Sequence, residues 1–196
     1  MADVLTIARS ELILGGQRSG KSRRAEQIAL EWLARSPAND AVLIATAQPW
    51  DKEMQERIAR HRQDRAERAP RLRTIEEPVQ LAGALAACCQ PHTLVVVDCL
   101  TLWLTNLLMP APDSEQNKAF PHNPRVFTAI FLGAIRQAAG PVVLVGNEIG
   151  LGVIPLGRET RAFVDALGRL NQDVAQVCER VTFMAAGLPL TLKGAP

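Results

Sequence analysis

Short aliphatic runs alternate along the whole chain with longer stretches of mixed polarity. The runs are Glu11–Leu14, Ala41–Ala45, Arg71–Ile75, Thr93–Val97, Pro141–Val145 and Arg180–Met184. Two of them contain the unbroken segments Leu94-Val-Val-Val97 and Val142-Val-Leu-Val145. A strand with one wet face alternates apolar and polar residues. A strand that is aliphatic throughout is covered on both faces, as in a parallel sheet. The stretches between the runs predict helices over Ser22–Ala34, Asp51–Asp64, Pro78–Cys89, Leu100–Leu108, Arg125–Ala139 and Glu159–Cys178. Regular alternation of the two predicts an α/β fold, a doubly wound and mostly parallel sheet flanked by helices.

Two segments fall outside this rhythm. Residues 109–124 read MPAPDSEQNKAFPHNP, a proline-rich stretch that predicts a surface loop. No repeat and no second domain follow it. Residues 1–10 predict a loose tail, and 11–196 a single domain. At 196 residues the chain is long enough for one sizeable core.

The first predicted strand leads straight into Gly15-Gly-Gln-Arg-Ser-Gly-Lys-Ser22, a G-x-x-x-x-G-K-S loop, and a helix follows. Strand, glycine loop and helix in that order suit a nucleoside triphosphate. Glycine lets backbone N–H groups close on the phosphates, which then sit at the positive helix terminus. Lys21 can reach the outer phosphates, and the Ser22 hydroxyl can bind Mg²⁺. Val95-Val-Val-Asp98 ends in a carboxylate. That acid either orients Mg²⁺, as in other P-loop proteins, or caps the helix that follows.

Net charge is +2, which supplies no overall field for nucleic acid or a membrane surface. The positive charge is instead concentrated in DKEMQERIARHRQDRAERAPRLR, residues 51–73. On a helix, Arg57, His61 and Arg65 share one face. Surrounding cations disfavour imidazolium and leave a neutral, nucleophilic ring. Two readings follow. His61 attacks phosphorus covalently while the arginines hold phosphates. Alternatively, the segment is a solvated basic face, or a lid whose arginines support direct phosphoryl transfer.

Val145-Gly-Asn-Glu-Ile-Gly-Leu-Gly152 closes another buried run. An Asn-Glu pair there faces the ligand crevice of an open α/β sheet, or forms an Asx turn. Arg158, Arg161 and Arg169 recur on the helix beyond, pointing to phosphates, a neighbouring subunit or solvent. Trp50 and Trp103 read as packing residues. His92 and His122 have no partners in sequence, and the three scattered histidines form no metal site. Cys88, Cys89, Cys99 and Cys178 read as free thiols of a reducing compartment. No leader pattern or membrane span is visible, so the expectation is a cytoplasmic protein without a membrane span.

Several stretches together resemble one family: LGGQRSGKSRRAE, IATAQPWDKEMQERIARHR, RTIEEP, VVVDCLTLWLTNLL, VGNEIGLGVIP and GRLNQ. The chain is similar, from Leu12 to Lys193, to the bifunctional adenosylcobinamide kinase / adenosylcobinamide-phosphate guanylyltransferases of cobalamin biosynthesis. The resemblance implies a P-loop NTPase domain with a RecA-like sheet. It implies phosphorylation of adenosylcobinamide by ATP or GTP. Transfer of GMP from GTP to adenosylcobinamide phosphate follows, by way of a guanylylated histidine, giving adenosylcobinamide-GDP. By motif match that histidine is His61.

The same match implies nucleotide contacts at Leu14, Gly15, Gly16, Gln17, Arg18, Ser19, Gly20, Lys21 and Ser22. Further contacts fall at Ala45, Thr46 and Ala47, at Arg62, Gln63, Asp64 and Arg65, and at Glu76 and Asp98. Ser22 and Asp98 would hold Mg²⁺. Family members resemble homotrimers. The chain departs from the family pattern after His61, where either Arg65 or Arg68 takes the family arginine's place. It departs again at Leu72, at Leu156-Gly157 and at Val164. The rival functions are a P-loop small-molecule kinase without a covalent step and a non-catalytic RecA-type module.

Overall fold

The computed structural model describes residues 6–109 and 123–195. Most of the proline-rich loop predicted over 109–124, His122 included, lies outside the described residues, as does 1–5. The elements in chain order are β1 (Ser10–Gly15), α1 (Lys21–Arg35), β2 (Asp40–Ala45), α2 (Lys52–Arg68), β3 (Leu72–Glu76), α3 (Leu81–Cys88) and β4 (Thr93–Asp98). They continue with α4 (Leu100–Leu108), α5 (Pro124–Gln137), β5 (Val142–Val145), α6 (Arg158–Val177), β6 (Arg180–Ala185) and β7 (Leu188–Lys193).

The strands form one seven-stranded sheet in the order β3-β2-β4-β5-β1-β6-β7. All pairings are parallel except β6 with β7. The aliphatic runs form its centre because each face is covered. Successive residues of β1 go to opposite sides: Leu12 and Leu14 join one core cluster and Ile13 the other. The first cluster packs Trp103, Phe131, Leu167 and Leu170 of α4, α5 and α6 on the sheet. Trp103 and Phe131 meet with ring centroids 5.1 Å apart. The second seats Ala25, Ile28, Ala29 and Leu33 of α1 on the opposite face.

Local chemistry sets the helix starts. The Asp51 side chain caps α2 by accepting from the Met54 amide at 2.7 Å. Asn123 caps α5, with Pro124 in the first turn.

Three expectations are corrected. Residues 6–10 are not a loose tail. The Thr6 carbonyl accepts from Arg180 at 2.5 Å, and the Arg9 amide donates to Glu179 at 2.7 Å. Trp103 is fully buried, but Trp50 is 42% exposed and is no packing residue. The sheet also has an edge strand, β7, that the aliphatic runs do not reveal.

Candidate active site

The register of the sheet builds the site at the carboxyl ends of its strands. Asp98 pairs with both Ala45 and Val145, Ala45 with Glu76, and Ile13 with Val145. The loops after β1, β2, β4 and β5 therefore start along one edge, where α/β sheets bind ligands.

The glycine loop after β1 is tight. Gly15 has φ +151°, and a Cβ there would lie 2.5 Å from the Met184 carbonyl oxygen and 2.7 Å from Ser19 Oγ. Gly20 has φ +100° and forms the left-handed entry to α1. The Ser19 carbonyl accepts from the Gly187 amide, so the β6–β7 turn braces the loop. Gly16, Gln17 and Arg18 are exposed, whereas Leu14 and Gly15 are buried beneath them.

Lys21 is the first residue of α1 and only 8% exposed. Its Nζ donates to the Gly16 carbonyl at 2.5 Å and lies 3.5 Å from Ser19 Oγ. Burial pulls its pKa below the usual 10.5. The Asp98 carboxylate opposes that shift, and Arg57 reinforces it. An ammonium folded over its own loop in this way is placed to exchange a carbonyl for phosphate oxygens.

Asp98 does not cap α4. Cys99 occupies the cap position, without a side-chain bond. The Asp98 carboxylate is half-buried and its charge acts on Lys21 and on His61 alike. The Ser22 hydroxyl and this carboxylate are hard oxygen donors of the kind Mg²⁺ takes together with phosphates. Among the described residues no three His, Cys, Asp or Glu side chains cluster as a metal site of their own. The Ser22 and Asp98 donors fit a Mg²⁺ that arrives with a nucleotide.

His61 stands on α2, half-buried. Burial lowers its pKa below 6.5; Asp98 pulls the other way, and Arg57 and Arg65 lower it further. Burial is thus the larger cause of the downward shift, and the basic company read from the sequence adds to it. Arg57 acts on both Lys21 and His61.

The other α2 residues divide. Arg62 forms an exposed ion pair with Glu76. Gln63 donates to Glu67 at 3.3 Å, and Asp64 pairs with Arg68 at 3.3 Å. Arg65 is 8% exposed, and its Nε has no hydrogen-bond partner.

Thr46 is fully buried, and its hydroxyl is spent inside the protein. It donates to the Cys99 carbonyl at 2.7 Å and accepts from the Cys99 amide at 2.9 Å. Ala45 and Ala47 flank it, partly exposed.

After β5, the Asn147 amide donates to Thr101 Oγ1 at 2.9 Å, and the Glu148 amide to the Gly15 carbonyl at 3.1 Å. Glu148 also accepts from the Gly150 amide, so it, and not Asn147, holds the turn. The following segment exposes Leu151, Val153, Ile154 and Leu156, between 77% and 96% each. Arg161 secures it by donating to the Pro155 and Leu156 carbonyls. Together with α6 it forms an open groove of about 520 Å³, with Asp165 and Arg169 on one wall.

Two positioning residues escaped the sequence reading. Asn106 donates to the Thr46 and Pro78 carbonyls at 2.8 and 3.0 Å. Asn171 donates to the Asn147 carbonyl at 3.0 Å and lies 3.4 Å from Glu148 Oε2. Each is a buried amide in a helix's apolar stripe, between Leu104 and Leu107 and between Leu170 and Val174. A polar residue at such a position is the available signal.

The cobinamide kinase / cobinamide phosphate guanyltransferase family model matches residues 11–192. The chain belongs to that family. It is 47% identical over 190 residues to the bifunctional adenosylcobalamin biosynthesis protein CobP of Pseudomonas aeruginosa, covering 95% of this chain and 98% of the relative. It is 34% identical to the bifunctional adenosylcobalamin biosynthesis protein CobU of Escherichia coli, covering 93% of this chain and 98% of the relative. Among solved structures, flagellar accessory protein FlaH of Methanocaldococcus jannaschii is similar with a TM-score of 0.52 at 12% identity, covering 96% of this chain and 80% of that one. That likeness concerns the fold alone. As a family member, the protein is an enzyme that uses nucleotides on cobinamide-related substrates. No helix among the described residues is long and apolar enough to cross a membrane.

Proposed function

We propose that one nucleotide site carries out two reactions in succession. In the first, ATP or GTP phosphorylates the side-chain hydroxyl of adenosylcobinamide. In the second, GTP guanylylates His61, and the GMP passes to adenosylcobinamide phosphate, giving adenosylcobinamide-GDP. The observation that carries this reading is that Lys21 folds over the glycine loop and the strand register sets that loop and Asp98 along one edge, with the charges of Asp98 and Arg57 acting on Lys21 and His61 alike. The phosphate-binding lysine and the candidate nucleophile thus share one neighbourhood.

In the kinase step, the Lys21 ammonium leaves the Gly16 carbonyl for the outer phosphates and offsets charge there. The glycine-loop amides position the chain of phosphates. Mg²⁺, held through Ser22 and Asp98, would neutralise charge across the phosphates. In the transfer step, a neutral ring nitrogen of His61 attacks the α-phosphorus of GTP. A P–N bond forms, and the P–O bond to pyrophosphate breaks, its electron pair leaving with pyrophosphate. A phosphate oxygen of adenosylcobinamide phosphate then attacks the same phosphorus, and the P–N electrons return to the ring. Arg57, whose charge acts on both Lys21 and His61, stabilises the charge that develops.

We also assign the protein to the cytoplasm and to a homo-oligomer. The four cysteines are all free, which fits a reducing compartment. The row of exposed aliphatic residues from Leu151 to Leu156 fits a partner-facing surface.

The test is His61→Ala. A folded variant that still phosphorylates adenosylcobinamide but forms no adenosylcobinamide-GDP supports the proposal. Equal loss of both reactions counts against it. Undiminished GMP transfer would leave a P-loop kinase whose transfer step is not carried by His61.

A further inference from the structure

Two glutamates are buried among the described residues, and they differ. Glu11, on β1, accepts from Thr182 at 2.8 Å and from Arg180 at 3.4 Å. Glu26, on α1, is 4% exposed, yet its Oε2 accepts no hydrogen bond. It lies beside Ala25 and Ile28 on the buried stripe of the helix. A carboxylate placed there costs stability unless opposite charge faces it. Its position calls for an explanation that core packing does not supply.

The charge that faces it comes from α2. Arg68 Nε is 3.5 Å from Glu26 Oε2, and Arg68 also binds Asp64 of its own helix at 3.3 Å. The Arg65 charge acts on Glu26 as well, and Arg65 is buried with an unpartnered Nε. Asp64 and Asp98 are the negative charges within reach. The two buried, under-satisfied groups, Glu26 and Arg65, thus lie on facing helices.

What makes this pairing consequential is how little else holds α2. Of its seventeen residues only Arg65 is buried. No residue of the helix joins either core cluster, and its other ties are the exposed Arg62–Glu76 ion pair and the buried Ala69 just past its end. The spacing is also matched. Glu26 is four residues beyond Ser22 on α1, and Arg65 is four residues beyond His61 on α2. Four residues is one helical turn, about 6 Å of rise. The anchor therefore sits one turn from the chemistry on both helices.

We infer that Glu26 is a positioning residue for guanylyl transfer, docking the histidine-bearing helix on the P-loop helix through Arg65 and Arg68. This rests on the reading of His61 as the nucleophile. Phosphoryl transfer draws first on Lys21, Ser22 and Asp98, none of which α2 carries, so loss of the anchor falls mainly on guanylyl transfer.

The experiment compares Glu26→Gln with wild type in the full-length protein. Single-turnover formation of the protein–GMP adduct from α-³²P-labelled GTP is set beside steady-state phosphorylation of adenosylcobinamide. Removing the charge while keeping the shape lowers the adduct-forming rate by about tenfold or more, with kinase kcat changed by less than about threefold. Glu26→Asp keeps the charge but withdraws it by one methylene, and it restores part of the adduct rate. If Glu26→Gln does not fold, Glu26→Asp carries the test through the same split between the two rates.

Adduct formation at the wild-type rate in a folded variant overturns the inference, as does parallel loss of both activities. These outcomes leave the His61 reading standing when the wild-type label maps to His61. A wild-type label on another residue overturns both.

Discussion

The Thr46 hydroxyl and the Cys99 backbone are bonded in both directions, at 2.7 and 2.9 Å. This reciprocal pair fastens the loop after β2 to the loop after β4, and the Thr46 amide adds a bond to the Asp98 carbonyl at 3.1 Å. Asp98 is thereby held where its charge meets Lys21 and His61. Thr46→Val keeps the volume but strands a buried amide. The expected loss of stability is about 2–4 kcal/mol. Urea unfolding measures it, and an unchanged midpoint would show that the pair holds nothing.

Gly15→Ala tests the glycine loop itself. The new methyl would meet the Met184 carbonyl oxygen at 2.5 Å, in a backbone region that side chains rarely adopt. The loop must shift, and nucleotide affinity falls by roughly tenfold or more, on the order of 1.4 kcal/mol. Calorimetric titration with GTP reads the change.

Much of this was legible in the sequence, for physical reasons. The aliphatic runs mark β1, β2, β4 and β5 because burial on both faces favours aliphatic residues along the strand, and the exception, Glu11, is held by Arg180 and Thr182. The P-loop is legible because phosphate binding fixes glycines and lysine at close spacing. Strand β7 was not. Leu188-Pro-Leu-Thr-Leu-Lys193 is an antiparallel edge strand whose three leucines remain 58–71% exposed, and Pro189 argues against a strand by propensity. Glu26 was equally hidden. On a helix a glutamate reads as solvent-facing, and only the tertiary approach of α2 turns it inward. The role of Trp50 failed in the opposite sense, since hydrophobic identity alone does not say whether a neighbouring element exists to cover it.

Lys21→Met separates one shared site from two independent ones. The variant keeps the buried stem and removes the charge, so both phosphoryl and guanylyl transfer drop, by about a hundredfold or more if the charge acts on the transition state. Removal of divalent cations with EDTA has the same double effect. Loss of one reaction with full retention of the other would require separate nucleotide sites.

The pH dependence follows from the direction of the His61 shift. Burial, aided by Arg57 and Arg65, holds the ring's pKa below 6.5 against the pull of Asp98. The ring is nucleophilic only when neutral, so adduct formation is lost as pH falls, with a midpoint below 6.5. A rate profile of adduct formation across the acid range reads this directly. A midpoint above 6.5 would mean that the Asp98 field dominates.

The account stands on a phosphorus–nitrogen bond at His61. Incubation with α-³²P-labelled GTP, followed by proteolysis and mass spectrometry of the labelled peptide, tests it most directly. The expected result is one GMP per labelled chain on His61, stable to alkali and released by acid. A label absent under turnover conditions, or carried by any residue other than His61, contradicts it.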